Sequence, residues 1–144
     1  MMSDPSDQES PPVILYVEDN LTNFQLVRRL LTAEGFVVRG AASRQALFTS
    51  LRERTPDIIL MDLNMPHDDG YTLTAQIRAL EALRYVPIIA VTANVLPSDR
   101  SRSLAAGCTD FIQKPIDVDL FPDQLRAHLS SRSKRRAGLA QSAR

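Results

Sequence analysis

The sequence predicts an α/β fold of three layers, with helices on both faces of a five-stranded parallel sheet, and two observations carry that prediction. Five short apolar runs rich in Val and Ile recur along the chain: Val13–Val17, Phe36–Gly40, Asp57–Met61, Pro87–Val91 and Thr109–Ile112. Runs of this length and composition fit strands covered on both faces. Between them lie four segments long enough for the crossover helices that parallel neighbours require.

Each element has its own local signal. Residues 1–12 are polar and rich in Pro and Ser, with nothing to bury, and read as a disordered lead-in. The segment Asn20–Glu34 places Leu21, Phe24, Val27, Leu30 and Leu31 on one face and stops at Gly35, the pattern of an amphipathic helix with a C-terminal glycine. Ser43–Arg54, Tyr71–Leu83 and Ser98–Ala106 repeat it with weaker periodicity, the last closed by Gly107. A fifth helix follows Ile116, and because proline is tolerated only in a first turn, Asp119 is expected as N-cap with Pro122 at the third helical position. The Ser/Arg/Lys-rich end, 131–144, has no apolar period and reads as an unstructured basic tail, so 13–130 forms the domain.

Composition bounds the function. A chain of 144 residues with 44% hydrophobic side chains supplies one domain with a real core. Acids and bases balance at 17 each, but five of the bases lie in 132–144, leaving 12 bases against 17 acids in the rest. An acidic body argues against a broad nucleic-acid surface and suits a divalent cation. The single Cys108 excludes an internal disulfide and reads as a small buried hydrophobe. The N-terminus lacks the basic and apolar regions of a signal peptide, and no run is long enough to span a membrane, so a cytoplasmic protein is expected.

The chemistry lies at the strand ends. For five strands the common doubly wound order is 2-1-3-4-5, with its ligand crevice at the carboxyl ends of strands 1 and 3. Strand 1 is followed by Glu18 and Asp19, strand 3 by Asp62, strand 4 by Thr92, and strand 5 by Lys114-Pro115. That order brings three carboxylates, a hydroxyl and an ammonium to one rim. Clustered carboxylates repel unless a cation neutralises them, and a hard cation held by carboxylates and phosphate oxygens is the habit of Mg2+. Asp19 and Asp62 are the expected direct ligands, and an aspartate so placed can accept a phosphoryl group as an acyl phosphate. Thr92 can donate to one phosphoryl oxygen and Lys114 bring charge to another. Taken singly, Asp62 is a turn residue, Thr92 a β-branched strand residue, Lys114 a solvated charge, and Glu18 and Asp19 acids that favour a helix N-terminus. Only their joint placement at one edge needs a functional explanation.

Four stretches, ILYVEDNLTN (Ile14–Asn23), DIILMDLNMPHDDG (Asp57–Gly70), PIIAVTAN (Pro87–Asn94) and GCTDFIQKPID (Gly107–Asp117), carry a resemblance to response-regulator receiver domains. The resemblance is to the single-domain kind seen in chemotaxis and cell-cycle signalling, and it spans Val13 to about Leu129. It implies a flavodoxin-like (βα)5 fold with Asp62 as phosphoacceptor and Glu18 and Asp19 as the acidic pair. It also implies the Asn64 main-chain carbonyl as a further Mg2+ ligand, Thr92 and Lys114 as the phosphate-sensing pair, and a cis Lys114–Pro115 peptide. Phe111 falls at the family's rotameric aromatic, often Tyr, where a Phe keeps a packing switch without the hydroxyl. Asn64 and Asn94 occupy the two positions that tune phosphate lifetime.

The expected function is therefore a phosphorylation switch, loaded by a sensor histidine kinase or a histidine phosphotransfer protein. With no output domain patterned after Leu129, its signal is expected to pass through a target protein or a homodimer on the Ser98–Leu129 face. A phosphate-independent docking module of the same fold is the alternative, although such proteins lose the acceptor, the acidic pair or the lysine. An aspartyl phosphotransferase enzyme would need a second acid two residues beyond Asp62, where Asn64 stands. His67 reads as a loop residue and His128 as part of the last helix, with no metal cluster of His and Cys around either.

Overall fold

The computed structural model describes residues 10–93 and 96–129. In chain order its elements are β1 (Val13–Val17), α1 (Leu21–Ala33), β2 (Val37–Ala41), α2 (Arg44–Glu53), β3 (Ile58–Asp62) and α3 (Gly70–Arg78). A 3-10 turn (Glu81–Leu83), β4 (Ile88–Thr92), α4 (Pro97–Ala106) and β5 (Asp110–Gln113) follow, and α5 covers 121–129. All strand pairs are parallel and the sheet order is β2-β1-β3-β4-β5, as the sequence predicts.

The strand side chains alternate between two cores. Leu15, Val17, Ile59, Met61, Ile88 and Ala90 face one side, with Leu47 and Leu51 of α2, Leu73 and Ile77 of α3, and Cys108. Ile14, Tyr16, Ile58, Leu60, Ile89 and Val91 face the other, with Val27 and Leu31 of α1 and Phe121 and Leu125 of α5. Burying each such Ile, Leu or Val removes it from water for roughly 1.5–3 kcal/mol, so the three central strands hold the fold. No helix among the described residues is long and apolar enough to cross a membrane.

The strands differ from the apolar runs by one residue in four of five cases. Three of these runs end where a polar residue begins, but the ladder continues through Asp62, Thr92 and Gln113, because backbone pairing ignores side-chain polarity. Asp62 thus pairs with Val91, and Thr92 with Gln113, so both stand inside strands rather than after them. At the other end Pro12 O accepts from Val37 N, extending the β1–β2 pair into the segment read as a lead-in. The rest of that segment, 1–9, and the basic tail from 130 onward lie outside the described residues.

The helices bring three corrections. α1 is capped by Asn20, whose side chain accepts from Asn23 N at 2.9 Å, and Gly35 takes φ +93° as expected of its stop. Leu21, expected on the buried face, is 67% exposed, because the first turn of α1 starts beyond the end of β1 and has no core beneath it. The segment read as one helix to Leu83 breaks after Arg78. There the chain folds back, and the Arg78 guanidinium collects Gly107 O (2.8 Å), Leu83 O (3.0 Å), Val86 O (2.6 Å) and Thr109 Oγ1 (3.1 Å). Before α5 the capping side chain is Asp117, not Asp119. Its Oδ1 accepts from Asp119 N (2.9 Å) and Leu120 N (3.2 Å), and its carbonyl accepts from Phe121 N. Pro122 still falls in the first turn of α5, where no backbone donor is required.

Arg78 clamps the amino-terminal edge of β4 and β5, the edge away from the strand-end cluster. An Arg78→Ala or Arg78→Met variant leaves several carbonyls without their donor and should lose about 2–4 kcal/mol of stability. Urea unfolding should show a lower midpoint with unchanged slope. A loss below about 1 kcal/mol would show the clamp to be decorative.

Candidate functional site

The rim is built by chain geometry before any side chain acts. Parallel strands end together, so the residues closing β1, β3, β4 and β5 share one edge. Glu18 follows β1 directly and its backbone N donates to Ala41 O at 3.1 Å, which keeps the residue in sheet-like register. Asp62 closes β3, Thr92 closes β4, and Lys114 stands one residue past β5 with its N donating to Thr92 O at 2.8 Å. The Lys114–Pro115 peptide is cis.

Glu18, Asp19 and Asp62 each place a carboxylate oxygen within 4.8 Å of the others. Glu18 and Asp62 are only 3% exposed, whereas Asp19 is open to solvent. The Lys114 ammonium reaches Asp62 Oδ1 at 3.3 Å and lies 3.9 Å from Glu18 Oε1. Asn64 N donates to Asp62 Oδ1 at 2.9 Å, fixing the carboxylate from the loop side. The Asn64 side chain turns the other way, its Oδ1 accepting from Thr92 Oγ1 (3.1 Å) and Ala93 N (3.0 Å).

One member of the cluster is strained electrostatically. Both oxygens of Glu18 are covered and receive no hydrogen bond from the described residues. Burial, followed by the neighbouring Asp62 carboxylate, raises its pKa from 4.5 to about 7. Beneath it lies Tyr16, 1% exposed, whose hydroxyl is pushed well above its ordinary pKa by burial and then by the Glu18 and Asp62 charges. A covered carboxylate without a donor, beside two further carboxylates, is a donor set that suits a hard divalent cation. One ammonium cannot neutralise all three.

Glu18, Asp19, Asp62, Thr92, Asn64 and Lys114 are thus brought together as the sequence predicts. Phe111 stands one layer back, paired with Ala90 of β4, half-buried and packed against the core that includes Leu73 and Cys108. Cys108 is buried, with a thiol pKa raised by that burial. His67 is exposed in the β3–α3 loop, and His128 lies in α5 with Nε2 3.0 Å from Asp110 Oδ2. Asn94 lies outside the described residues. Sequence reasoning missed Tyr16 as the floor of the site. Its signal was present, since residues two apart on a strand face the same way, and Tyr16 precedes Glu18 by two. It also missed the Ala93 N–H, which no side-chain pattern reveals.

Comparison with known proteins agrees with this fold. Residues 14–126 match the family model of the response regulator receiver domain. The polar-differentiation response regulator DivK of Brucella ovis is 38% identical over 117 residues, covering 81% of this chain and 94% of that protein. A crystal structure of the receiver domain of sensor histidine kinase PA1611 from Pseudomonas aeruginosa, with magnesium coordinated in its active-site cleft, is 38% identical. It covers 83% of this chain and 96% of that one, with a TM-score of 0.72. The chemotaxis protein CheY4 of Vibrio cholerae shares the fold at 24% identity, with a TM-score of 0.79 over 83% of this chain and 99% of that one. With the family model spanning most of its length and the acidic rim in place, this chain belongs to the response regulator receiver domain family.

Proposed function

We propose that the chain is a phosphorylation switch in which Asp62 accepts a phosphoryl group from a phosphohistidine of a sensor kinase or a phosphotransfer protein. The observation that carries this reading is the convergence of the Glu18, Asp19 and Asp62 carboxylates with the Lys114 ammonium at the carboxyl edge of the sheet. In the transfer, the P–O bond to Asp62 forms as the P–N bond to the donor imidazole breaks, and that imidazole leaves with a proton. Glu18, Asp19, Asp62 and the Asn64 main-chain carbonyl would hold Mg2+, which when bound supplies positive charge to offset nucleophile and phosphoryl oxygens together. The protein's own task is positioning and electrostatics. Asn64 N and Lys114 orient Asp62, Lys114 adds charge, and the Thr92 hydroxyl can bond a phosphoryl oxygen.

The output is a shape change read by a partner protein in the cytoplasm, or by a second copy. When Thr92 is drawn to the phosphoryl group, Phe111, which packs beside Ala90 on the same face, can turn into the space behind it. Support for a partner surface across 98–129 comes from its exposed apolar side chains, Leu104, Val118 and Leu120. α4 also buries only Ser103 among its own residues, so little apolar packing ties it down.

Acetyl phosphate should therefore label the wild-type chain, and only with Mg2+ present. Intact-mass measurement should show labelling abolished in Asp62→Asn and by EDTA. Equal labelling of both proteins would reject Asp62 as acceptor.

A second expectation follows from Glu18. Its folded pKa is raised from 4.5 to about 7, so the metal-free fold holds this proton more tightly than the unfolded chain. Its contribution is then fully present below about 4.5 and lost as pH climbs to about 7, costing on the order of 3 kcal/mol. Mg2+ should raise the melting temperature most at pH 7.5–8, where the cluster is charged, and least near pH 5. Asp19→Ala should blunt that rise. A Mg2+ effect independent of both pH and Asp19 would remove these carboxylates from the metal site.

A further inference from the structure

Asn64 makes more connections than a loop residue needs. Its backbone N–H holds Asp62 Oδ1 at 2.9 Å, while its side-chain carbonyl collects two donors from the end of β4, Thr92 Oγ1 at 3.1 Å and Ala93 N at 3.0 Å. Two donors from adjacent residues that converge on a single oxygen form an anion-binding geometry, occupied here by a neutral amide oxygen. One of those donors, the Thr92 hydroxyl, is the group expected to bond a phosphoryl oxygen on Asp62.

We propose that in the unphosphorylated chain the Asn64 side-chain carbonyl stands in for a phosphoryl oxygen, holding Thr92 and Ala93 in the resting position until phosphorylation of Asp62 displaces it. This rests on the reading of Asp62 as phosphoacceptor. Asn64 is then a positioning residue that sets how far the switch leans towards rest. The exchange is favourable because a charged acceptor makes hydrogen bonds roughly twice as strong as a neutral one. Releasing the amide costs about one hydrogen bond net, since Asn64 is solvent-exposed and water replaces part of its bonding. The same tie joins the β3–α3 loop to the end of β4, so its release frees Thr92 and Ala93.

The test uses 1H–15N spectra of the full chain as wild type, Asn64→Ala, Asn64→Leu and Asn64→Asp, free and titrated with beryllofluoride plus Mg2+ as the acyl-phosphate mimic. In the free Ala and Leu variants, the Ala93 amide and the α4 amides should move along the line joining wild-type free and bound positions. Beryllofluoride should bind these two variants about three- to tenfold more tightly, the equivalent of one hydrogen bond no longer lost on binding. Leu keeps the bulk that Ala removes, so agreement between them assigns the effect to the missing acceptor. Asp restores an acceptor oxygen and should return the free Ala93 amide towards its wild-type position. If the Ala and Leu variants keep wild-type positions, shift off that line, or bind beryllofluoride no better while wild type binds it, the stand-in role is wrong. If wild type itself does not bind, or Asp62→Asn binds equally, the phosphoacceptor reading falls and this proposal with it.

Discussion

The structure depends on one electrostatic constraint: two carboxylates, Glu18 and Asp62, are buried at the end of a parallel sheet with too little positive charge to satisfy them. A buried ionised group is tolerable only when paired, bonded or neutralised. Asp62 has Lys114 at 3.3 Å and the Asn64 N–H, but the Glu18 carboxylate receives no hydrogen bond from the described residues, and Lys114 stands 3.9 Å away. The fold therefore carries a local instability that a proton on Glu18 or a divalent cation can relieve. Stability is given up here for a site that responds to charge.

The rest of the molecule makes that concentration of charge possible. Every side chain of β1, β3 and β4 is buried, and the alternation of Ile and Leu into two cores locks the register that aligns the strand ends. Arg78 ties the far edge together, joining α3 to the loops before β4 and β5. That clamp lies away from the rim. Near it, α4 has only Ser103 buried, and its approach from β4 is tied back through Asn64 to Thr92 and Ala93. A stiff sheet with a lightly anchored helix is the mechanical arrangement that lets a charge change at one edge be read on a surface.

Much of this was legible in the sequence, because the fold and most of the site obey periodic rules. Short Val/Ile runs separated by helix-length segments point to a parallel sheet, the common doubly wound arrangement supplies its order, and that topology brings Glu18, Asp19, Asp62, Thr92 and Lys114 to one edge. What escaped had other causes. Strand ends were misjudged by one residue because hydrogen-bond ladders run on past the apolar run, through Asp62 and Thr92. The third helix was read too long because its end is set by Arg78 reaching carbonyls in later segments, a tertiary event with no local pattern. The cap of α5 was assigned to Asp119 rather than Asp117 because both are acidic, and only the turn at 118–120 distinguishes them. The Asn64 tie was invisible because it joins a side chain to a backbone N–H 29 residues away.

Glu18 is a buried carboxylate that a proton or a cation can neutralise, and its own titration tests this most directly. Carboxyl 13C shifts of Glu18, assigned through a Glu18→Gln variant and followed from pH 4 to 9, should give a midpoint near 7 in metal-free protein. Saturating Mg2+ should move that midpoint down into the ordinary carboxylate range. A midpoint near 4.5 without metal, unmoved by Mg2+, would contradict the account.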